Sequence, residues 1–375
     1  MAQKNNETKH TPLRAVISGG GTGGHIFPAL SIANALKRME PDAQILFVGA
    51  LGRMEMERVP AAGYDIVGLP VAGFDRKRLW RNFGVAVKLM RSMLKARRII
   101  KKFRPDIAVG VGGYASGPTL KAAQRAGVPT VIQEQNSYAG VTNKLLARKA
   151  HRICVAYSGM ERFFPDGSIV MTGNPVRHDI ASSEMSKREA KKLLGFDADK
   201  PLVLVVGGSL GARTINESIA AALETIVGCG AQLMWQTGKY YIDSYKHLSQ
   251  PDKGVMVSAF ISDMAVAYKA ADLVVSRAGA GTISELQILG LPVILVPSPN
   301  VAEDHQRKNA MALVEKDAAV MVADAEAPVA LAEEITSLIA DEARRKSLSA
   351  NITSMAMRDS DDKIAGIIYE IAKSK

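Results

Sequence analysis

The feature that most constrains this chain is a rhythm: short runs rich in β-branched residues alternate with amphipathic stretches of helical period along almost its whole length. RAVIS, QILFV, YDIVGL, DIAVG, VPTVI and HRICV come before position 156; LVLVV, QLMWQ, VMVSAF, DLVVS, PVILVP and AAVMV come after Lys200. A strand that is apolar on both faces needs cover on both, and a parallel neighbour needs a crossover long enough to hold a helix. The pattern predicts two α/β units, each a doubly wound parallel sheet of the Rossmann-like kind. A chain of 375 residues is long enough to bury two such cores. The Gly-Asn-Pro turn within residues 173–180 marks the junction. The expected division is a disordered tail at 1–13, one domain at 14–175, a second at 176–360, and a helix at 361–375 that returns toward the first.

No apolar run approaches the roughly 20 residues of a membrane-spanning helix. The polar start MAQKNNETKHTP lacks the apolar core of a secretory signal, so a cytoplasmic protein is expected. Cys154 and Cys229 have no metal-ligand spacing and read as small apolar residues. The net charge is +11, yet residues 76–104 alone hold twelve Lys and Arg with no Asp or Glu, so the rest of the chain is close to neutral. The basic excess belongs to one segment.

Three glycine-rich turns fall where strands give way to helices. In GGGTGGH, Gly19, Gly21 and Gly24 fit G-x-G-x-x-G, where missing side chains let a phosphate reach N–H groups at a helix N-terminus. A dinucleotide site also needs an acidic residue ending the second strand. Here QILFV runs into GALGR instead, which disfavours a nicotinamide cofactor. VVGGSLGART places Ser209 between Gly208 and Gly211, and SRAGAGTISE carries Glu285 one turn inside its helix, where a carboxylate can accept both hydroxyls of a ribose. Plainer readings exist. The first loop is also what a tight turn needs, and Thr282 with Glu285 spells a T-x-x-E capping box.

Together, GGGTGGH, QEQN at 133–136, GNPVR, GGSLGA, RAGAGTISE and DHQRKN at 304–309 resemble the MurG family of bacterial peptidoglycan N-acetylglucosaminyltransferases, over nearly the whole chain. The resemblance implies a GT-B fold, two Rossmann-like doubly wound domains facing across a cleft. It implies transfer of GlcNAc from UDP-GlcNAc to lipid I, undecaprenyl-diphospho-MurNAc-pentapeptide, inverting to a β-1,4 linkage and giving lipid II. It further implies donor contacts at Thr22, Gly23, Gly24, Asn136, Arg177, Ser209, the backbone of Ile261, Ala280, Gly281, Thr282, Glu285 and Gln306. The acceptor diphosphate would lie at Gly20, Gly21 and His25. A guanidinium and amide donors suit a diphosphate, and Asn and Gln suit sugar hydroxyls. Gly281, where some relatives carry a larger apolar residue, and QEQN in place of HEQN bear on the shape of the sugar pocket.

An inverting transfer needs a base for the acceptor hydroxyl and positive character for the departing UDP. His25 and Glu134 are both candidate bases. The plain alternatives are that His25 caps its helix or orients a phosphate, and that Glu134 orders a loop. An imidazole with its ordinary pKa of about 6.5 is mostly neutral near pH 7, which slightly favours His25. Arg177, Ser209 and helix-end amides would receive the charge growing on UDP. No D-x-D pair lies beside these loops, so no metal ion or other cofactor is expected, UDP-GlcNAc being a substrate.

Within the basic segment, Val85, Leu89, Met93, Ala96, Ile100 and Phe103 share one helical face that is expected to pack. Lys88, Arg91, Lys95, Arg98 and Lys102 share another, and Leu79, Trp80 and Phe83 lie just upstream. At about 1 kcal/mol per basic residue near an anionic leaflet, such a helix would hold the protein reversibly on the cytoplasmic face of the inner membrane. Cell-wall assembly proteins are further candidate partners. Nucleic acid is disfavoured, because no base-stacking aromatic series accompanies the charge. Other UDP-sugar enzymes of this architecture, a UDP-GlcNAc 2-epimerase or a diacylglycerol glycosyltransferase, are the nearest alternatives, and a non-catalytic membrane scaffold is one of a different class.

Overall fold

The computed structural model describes residues 11–71, 82–176, 180, 185–208 and 210–374. They form two compact units. The first takes in the described residues up to Gln135, Ala139–Pro175 and those from Asp359 onward. The second takes in Asn136–Tyr138 and the described part of Val176–Arg358.

The first unit holds seven strands: β1 (Arg14–Ser18), β2 (Gln44–Ala50), β3 (Asp65–Leu69), β4 (Ile107–Gly110), β5 (Thr130–Glu134), β6 (Arg152–Val155) and β7 (Ile169–Met171). All pair in parallel, in the order β3-β2-β1-β4-β5-β6-β7. Its helices include α1 (Gly23–Met39), α2 (Glu55–Ala61), α3 (Asn82–Phe103), α4 (Ser116–Arg125) and α5 (Val141–Ala147). Successive side chains of a strand point to opposite faces. Accordingly Ala15 and Ile17 pack with Ala29, Ile32 and Leu36 of α1, whereas Val16 packs with Ala96 and Ile100 of α3.

The helix Ser360–Lys373 completes the α1 face of this unit. Ile364 and Ile368 are fully buried there, each contributing about 2 kcal/mol by transfer from water. Arg38 of α1 donates to both Asp361 and Asp362 at 2.7 Å. The rhythm of the sequence did not reveal β7, a strand of three residues. Of the segment expected as a disordered tail, residues 11–13 are described, and Leu13 is buried. Its N–H donates to Glu40 Oε1 at 2.8 Å and its carbonyl accepts from Gln44 at 2.7 Å, so Leu13 is part of the folded unit.

The second unit has six parallel strands, β8 (Leu202–Val206), β9 (Gln232–Gln236), β10 (Val255–Ser258), β11 (Leu273–Ser276), β12 (Val293–Leu295) and β13 (Val320–Met321), in the order β10-β9-β8-β11-β12-β13. Val203 and Val205 face the Arg213–Gly228 and Ala327–Ala340 helices, and Leu204 faces the opposite cluster with Ile283, Leu286 and Leu313. Trp235, with no exposed surface, donates its indole N–H to Asn216 Oδ1 at 3.0 Å. In both sheets the strand order reverses beside the first strand, between β1 and β4 and between β8 and β11. Crossovers leave opposite faces there, which opens a crevice at the carboxyl ends of the strands.

Candidate active site

The first glycine loop leaves β1 at this reversal. Gly20 and Gly21 have φ of 147° and 91°, conformations that a side chain resists. A Cβ on Gly20 would lie 2.1 Å from Glu55 Oε1. On Gly113, in the turn after β4, it would lie 2.4 Å from the Gly20 carbonyl oxygen; on Gly112, 2.9 Å from the His25 ring. Close packing of two turns therefore requires these glycines whether or not an anion binds. Around Gly21 the space is open.

Thr22 is the N-cap residue of α1 in extended conformation, and its side chain makes no capping hydrogen bond to the first turn that Gly23 and Gly24 begin. The Gly21 N–H was expected at the acceptor diphosphate, but it donates to Glu55 Oε2 at 3.0 Å. That amide is committed to the protein, and the uncapped α1 turn is what the loop offers an anion. His25 projects from this turn. Its Nδ1 lies 3.1 Å from the Gly20 carbonyl oxygen and 3.4 Å from Thr22 Oγ1. A carbonyl only accepts, so in this contact Nδ1 is the donor, and a neutral ring then has its lone pair on Nε2.

Glu134 ends β5 and is buried. Its Oε2 accepts from the Gly140 N–H at 2.9 Å and from Asn143 Nδ2 at 2.8 Å. These bonds shape the turn leading into α5, the loop-ordering role weighed against a catalytic one.

In the second unit, Gly208 and Gly211 have φ of 85° and 91°, and the Gly211 N–H closes the turn on the Gly208 carbonyl at 3.0 Å. The Arg213–Gly228 helix that follows has no side-chain cap at Ala212. Neither has the Ala280–Leu289 helix at Gly279. The capping box read into Thr282 and Glu285 does not form: the helix starts three residues earlier than that motif requires, which places Thr282 inside it. Glu285 Oε2 instead accepts from Tyr268 Oη at 3.0 Å. A Cβ on Gly281 would meet nothing within 4 Å, so glycine there widens the space beside Ala280 rather than serving packing.

Three further expected contacts lie in this unit. Ile261 is buried, and its N–H donates to Gln236 Oε1 at 3.0 Å, which commits one half of its backbone edge. Gln306 Oε1 accepts from the Ser298 N–H at 2.8 Å. The turn before it holds Glu303 and Asp304 at φ of 57° and 51°, a strain of order 1–3 kcal/mol per residue of the kind that gathers at ligand sites. Asn136 Oδ1 accepts from Asn309 Nδ2 at 3.1 Å, and Asn309 Oδ1 accepts from both the N–H and Oγ of Ser137 at 3.0 Å. Arg177 and Ser209 lie outside the described residues.

The sequence reading missed a set of supporting polar residues. Glu55 is one, Asn309 another. A third is Asp324, which pairs with Arg277 and accepts from Thr214 Oγ1 at 2.9 Å. Spacing gave no signal for these, because Glu55 reaches Gly21 across 34 residues, Asn309 reaches Ser137 across 172 and Asp324 reaches Thr214 across 110. Among the described residues no group of three or more His, Cys, Asp and Glu could hold a metal ion.

On α3, the face expected to pack does so only from Ala96 onward. Ala96 and Ile100 are buried, but Leu89 is 49% exposed. Leu89 lines a groove of about 530 Å³ with Val85, Met93, Tyr114, Pro118 and Leu145. A second groove, of about 570 Å³, is lined by Arg91, Lys95, Arg98 and Lys102 beside Val67 and Pro70. Lys88 is exposed, and Lys95 Nζ is drawn to the Gly68 carbonyl at 2.7 Å. Leu79, Trp80 and the side chain of Phe83 lie outside the described residues. Among those described, no helix is long and apolar enough to cross a membrane.

Comparison with known proteins agrees with the two-unit fold. Residues 15–155 match the glycosyltransferase family 28 N-terminal domain and residues 202–364 its C-terminal domain. Two relatives are named UDP-N-acetylglucosamine--N-acetylmuramyl-(pentapeptide) pyrophosphoryl-undecaprenol N-acetylglucosamine transferase. The one from Phocaeicola vulgatus is 60% identical over 363 residues, 96% of each chain. The one from Bacteroides fragilis is 58% identical over 378 residues, 99% of each. The crystal structure of Acinetobacter baumannii MurG superposes with a TM-score of 0.77 at 27% identity, covering 96% of this chain and all of that one.

Proposed function

The chain belongs to glycosyltransferase family 28 and, within it, to the MurG family, and on that premise we propose how its residues divide the reaction. It is an N-acetylglucosamine transferase that takes GlcNAc from UDP-GlcNAc and delivers it to N-acetylmuramyl-pentapeptide carried on pyrophosphoryl-undecaprenol, giving lipid II. The second unit holds the donor: the Ile261 backbone at uracil, Glu285 at the ribose, and Gln306, Asn136 and the space beside Gly281 at the sugar. Arg177, Ser209 and the uncapped turn at Ala212 receive the diphosphate. The first unit receives the acceptor's diphosphate at the uncapped turn of α1.

His25 Nε2 takes the proton of the acceptor 4-hydroxyl as that oxygen bonds to C1. The electron pair of the C1–O bond leaves with UDP from the opposite face, so an α-linked donor yields a β-1,4 product. Charge growing on UDP goes to the guanidinium and helix-end amides, and no metal is needed. The observation that carries the base assignment is the Nδ1 contact with the Gly20 carbonyl, which leaves Nε2 as the basic nitrogen. Glu134, with its Oε2 bonded twice within the protein, is assigned the ordering of its loop.

Substitution tests this. His25→Ala should lower kcat by at least about 100-fold on a soluble lipid I analogue, with UDP affinity unchanged, whereas Arg177→Ala should weaken UDP binding itself. Full turnover in the His25 variant would overturn the assignment. The apolar groove and the cations of α3 support reversible contact with an anionic leaflet on the cytoplasmic side, where a polyprenyl acceptor resides.

A further inference from the structure

Gly20 C=O and Gly21 N–H belong to a single peptide unit. Its N–H donates to Glu55 Oε2 at 3.0 Å and its carbonyl faces His25 Nδ1 at 3.1 Å. Glu55, 1% exposed at the start of α2, has its other oxygen on the Ala50 N–H at 2.9 Å. The carboxylate is thus anchored to the end of β2 and cannot swing away. One peptide unit joins one carboxylate to one imidazole.

We propose that Glu55 is a positioning residue that acts on His25 through the Gly20–Gly21 peptide, as an aspartate acts directly on the histidine of a hydrolytic triad. Two effects follow. Glycine at both 20 and 21 leaves this peptide little intrinsic preference for one orientation, so the Glu55 bond selects the one that aims the carbonyl at Nδ1. A carboxylate on the N–H also polarises the amide and makes its carbonyl a better acceptor, since hydrogen bonds in a chain strengthen one another. When Nε2 takes the acceptor's proton, the Nδ1–H of the resulting imidazolium remains on that carbonyl. Glu55 takes no proton. The relay tolerates no side chain at Gly20, whose Cβ would fall on the carboxylate.

The inference rests on the reading of His25 as the base, and two measurements separate the two claims. In Glu55→Gln, an amide N–H₂ opposes one of the two backbone donors. Nitrogen-15 NMR of the His25 ring should then change from one tautomer, protonated at Nδ1, to a mixture. Turnover on the lipid I analogue should fall on the order of 10-fold, with the KM for UDP-GlcNAc held and the melting temperature lowered by the unsatisfied buried donors. In a His25→Ala background the same change should cost nothing further, because residues acting as a unit are not additive. Unchanged ring nitrogens in Glu55→Gln overturn the relay, as does an equal loss in the His25→Ala background, which would make Glu55 a general scaffold. If His25→Ala alone leaves kcat intact, the base assignment fails while the ring signals still report on the relay. Should Glu55→Gln not fold, Glu55→Asp, which keeps the charge but falls short of the peptide, is read in the same way.

Discussion

Arg277 and Asp324 form an ion pair that links the turn after β11 to the helix that follows the Gly208–Gly211 turn. Arg277 follows β11 and also donates to the carbonyls of Val296 and Pro297 at 3.0 and 3.3 Å. Asp324 holds the Thr214 hydroxyl in the first turn of the Arg213–Gly228 helix. With both side chains under 20% exposed, loss of one charge strands the other. Asp324→Ala is expected to cost about 3 kcal/mol of stability and to raise the KM for UDP-GlcNAc, leaving vesicle binding unaltered. Denaturant titration and steady-state kinetics check both.

Gly113→Ala should act on the acceptor side. The added Cβ would stand 2.4 Å from the Gly20 carbonyl oxygen at a φ of 85°, so the first glycine loop must move. Activity on the lipid I analogue should fall while UDP affinity, measured by calorimetry, stays that of the parent.

Acid stability should depend on Asp272. Burial pushes its carboxyl up, but hydrogen bonds from Lys187 and Lys191, with the Leu202 N–H, outweigh that and hold it below the usual carboxylate range. A depressed carboxyl stabilises the fold fully above its unfolded pKa of about 3.9 and loses that contribution as pH falls through the folded value. Asp272→Asn should therefore be less stable at pH 7, by about 3 kcal/mol because Lys191 is left buried. Urea midpoints should show the gap narrowing below about pH 4.

Vesicle sedimentation should separate the two grooves of α3. Leu89→Asp with Leu145→Asp should weaken binding to neutral and anionic vesicles alike. Reversing Lys88, Arg91 and Lys102 to Glu should abolish only the anionic preference and its salt sensitivity. Lys95 should contribute less, its ammonium being held by Gly68.

Removal of divalent cations should leave turnover unchanged. Activity lost in EDTA and restored by magnesium would mean that the diphosphate is neutralised by an ion rather than by Arg177 and helix ends.

Both sheets were legible because their strands are covered on two faces and so read as apolar runs, as LVLVV does at β8. β7 was not, since its three residues are only partly buried or exposed and stand in no longer apolar run. Glycine turns announced themselves, but their causes were hidden. Whether a glycine makes room for phosphate or for Glu55 depends on what the fold brings near, and Glu55 is 34 residues from Gly21 in sequence. The Thr282–Glu285 motif misled because a capping box needs its threonine at the helix boundary, and that boundary lies at Gly279. Leu89 fitted a packed face by period alone, yet at its level the groove opens and leaves it half exposed among the described residues.

The first unit cannot close its core from its own stretch of chain. Ile364, Ala365 and Ile368 reach α1 only after the whole second unit has been made. On the ribosome, where domains ordinarily mature in order of synthesis, the earlier half of this protein must wait with α1 uncovered, and it finishes last.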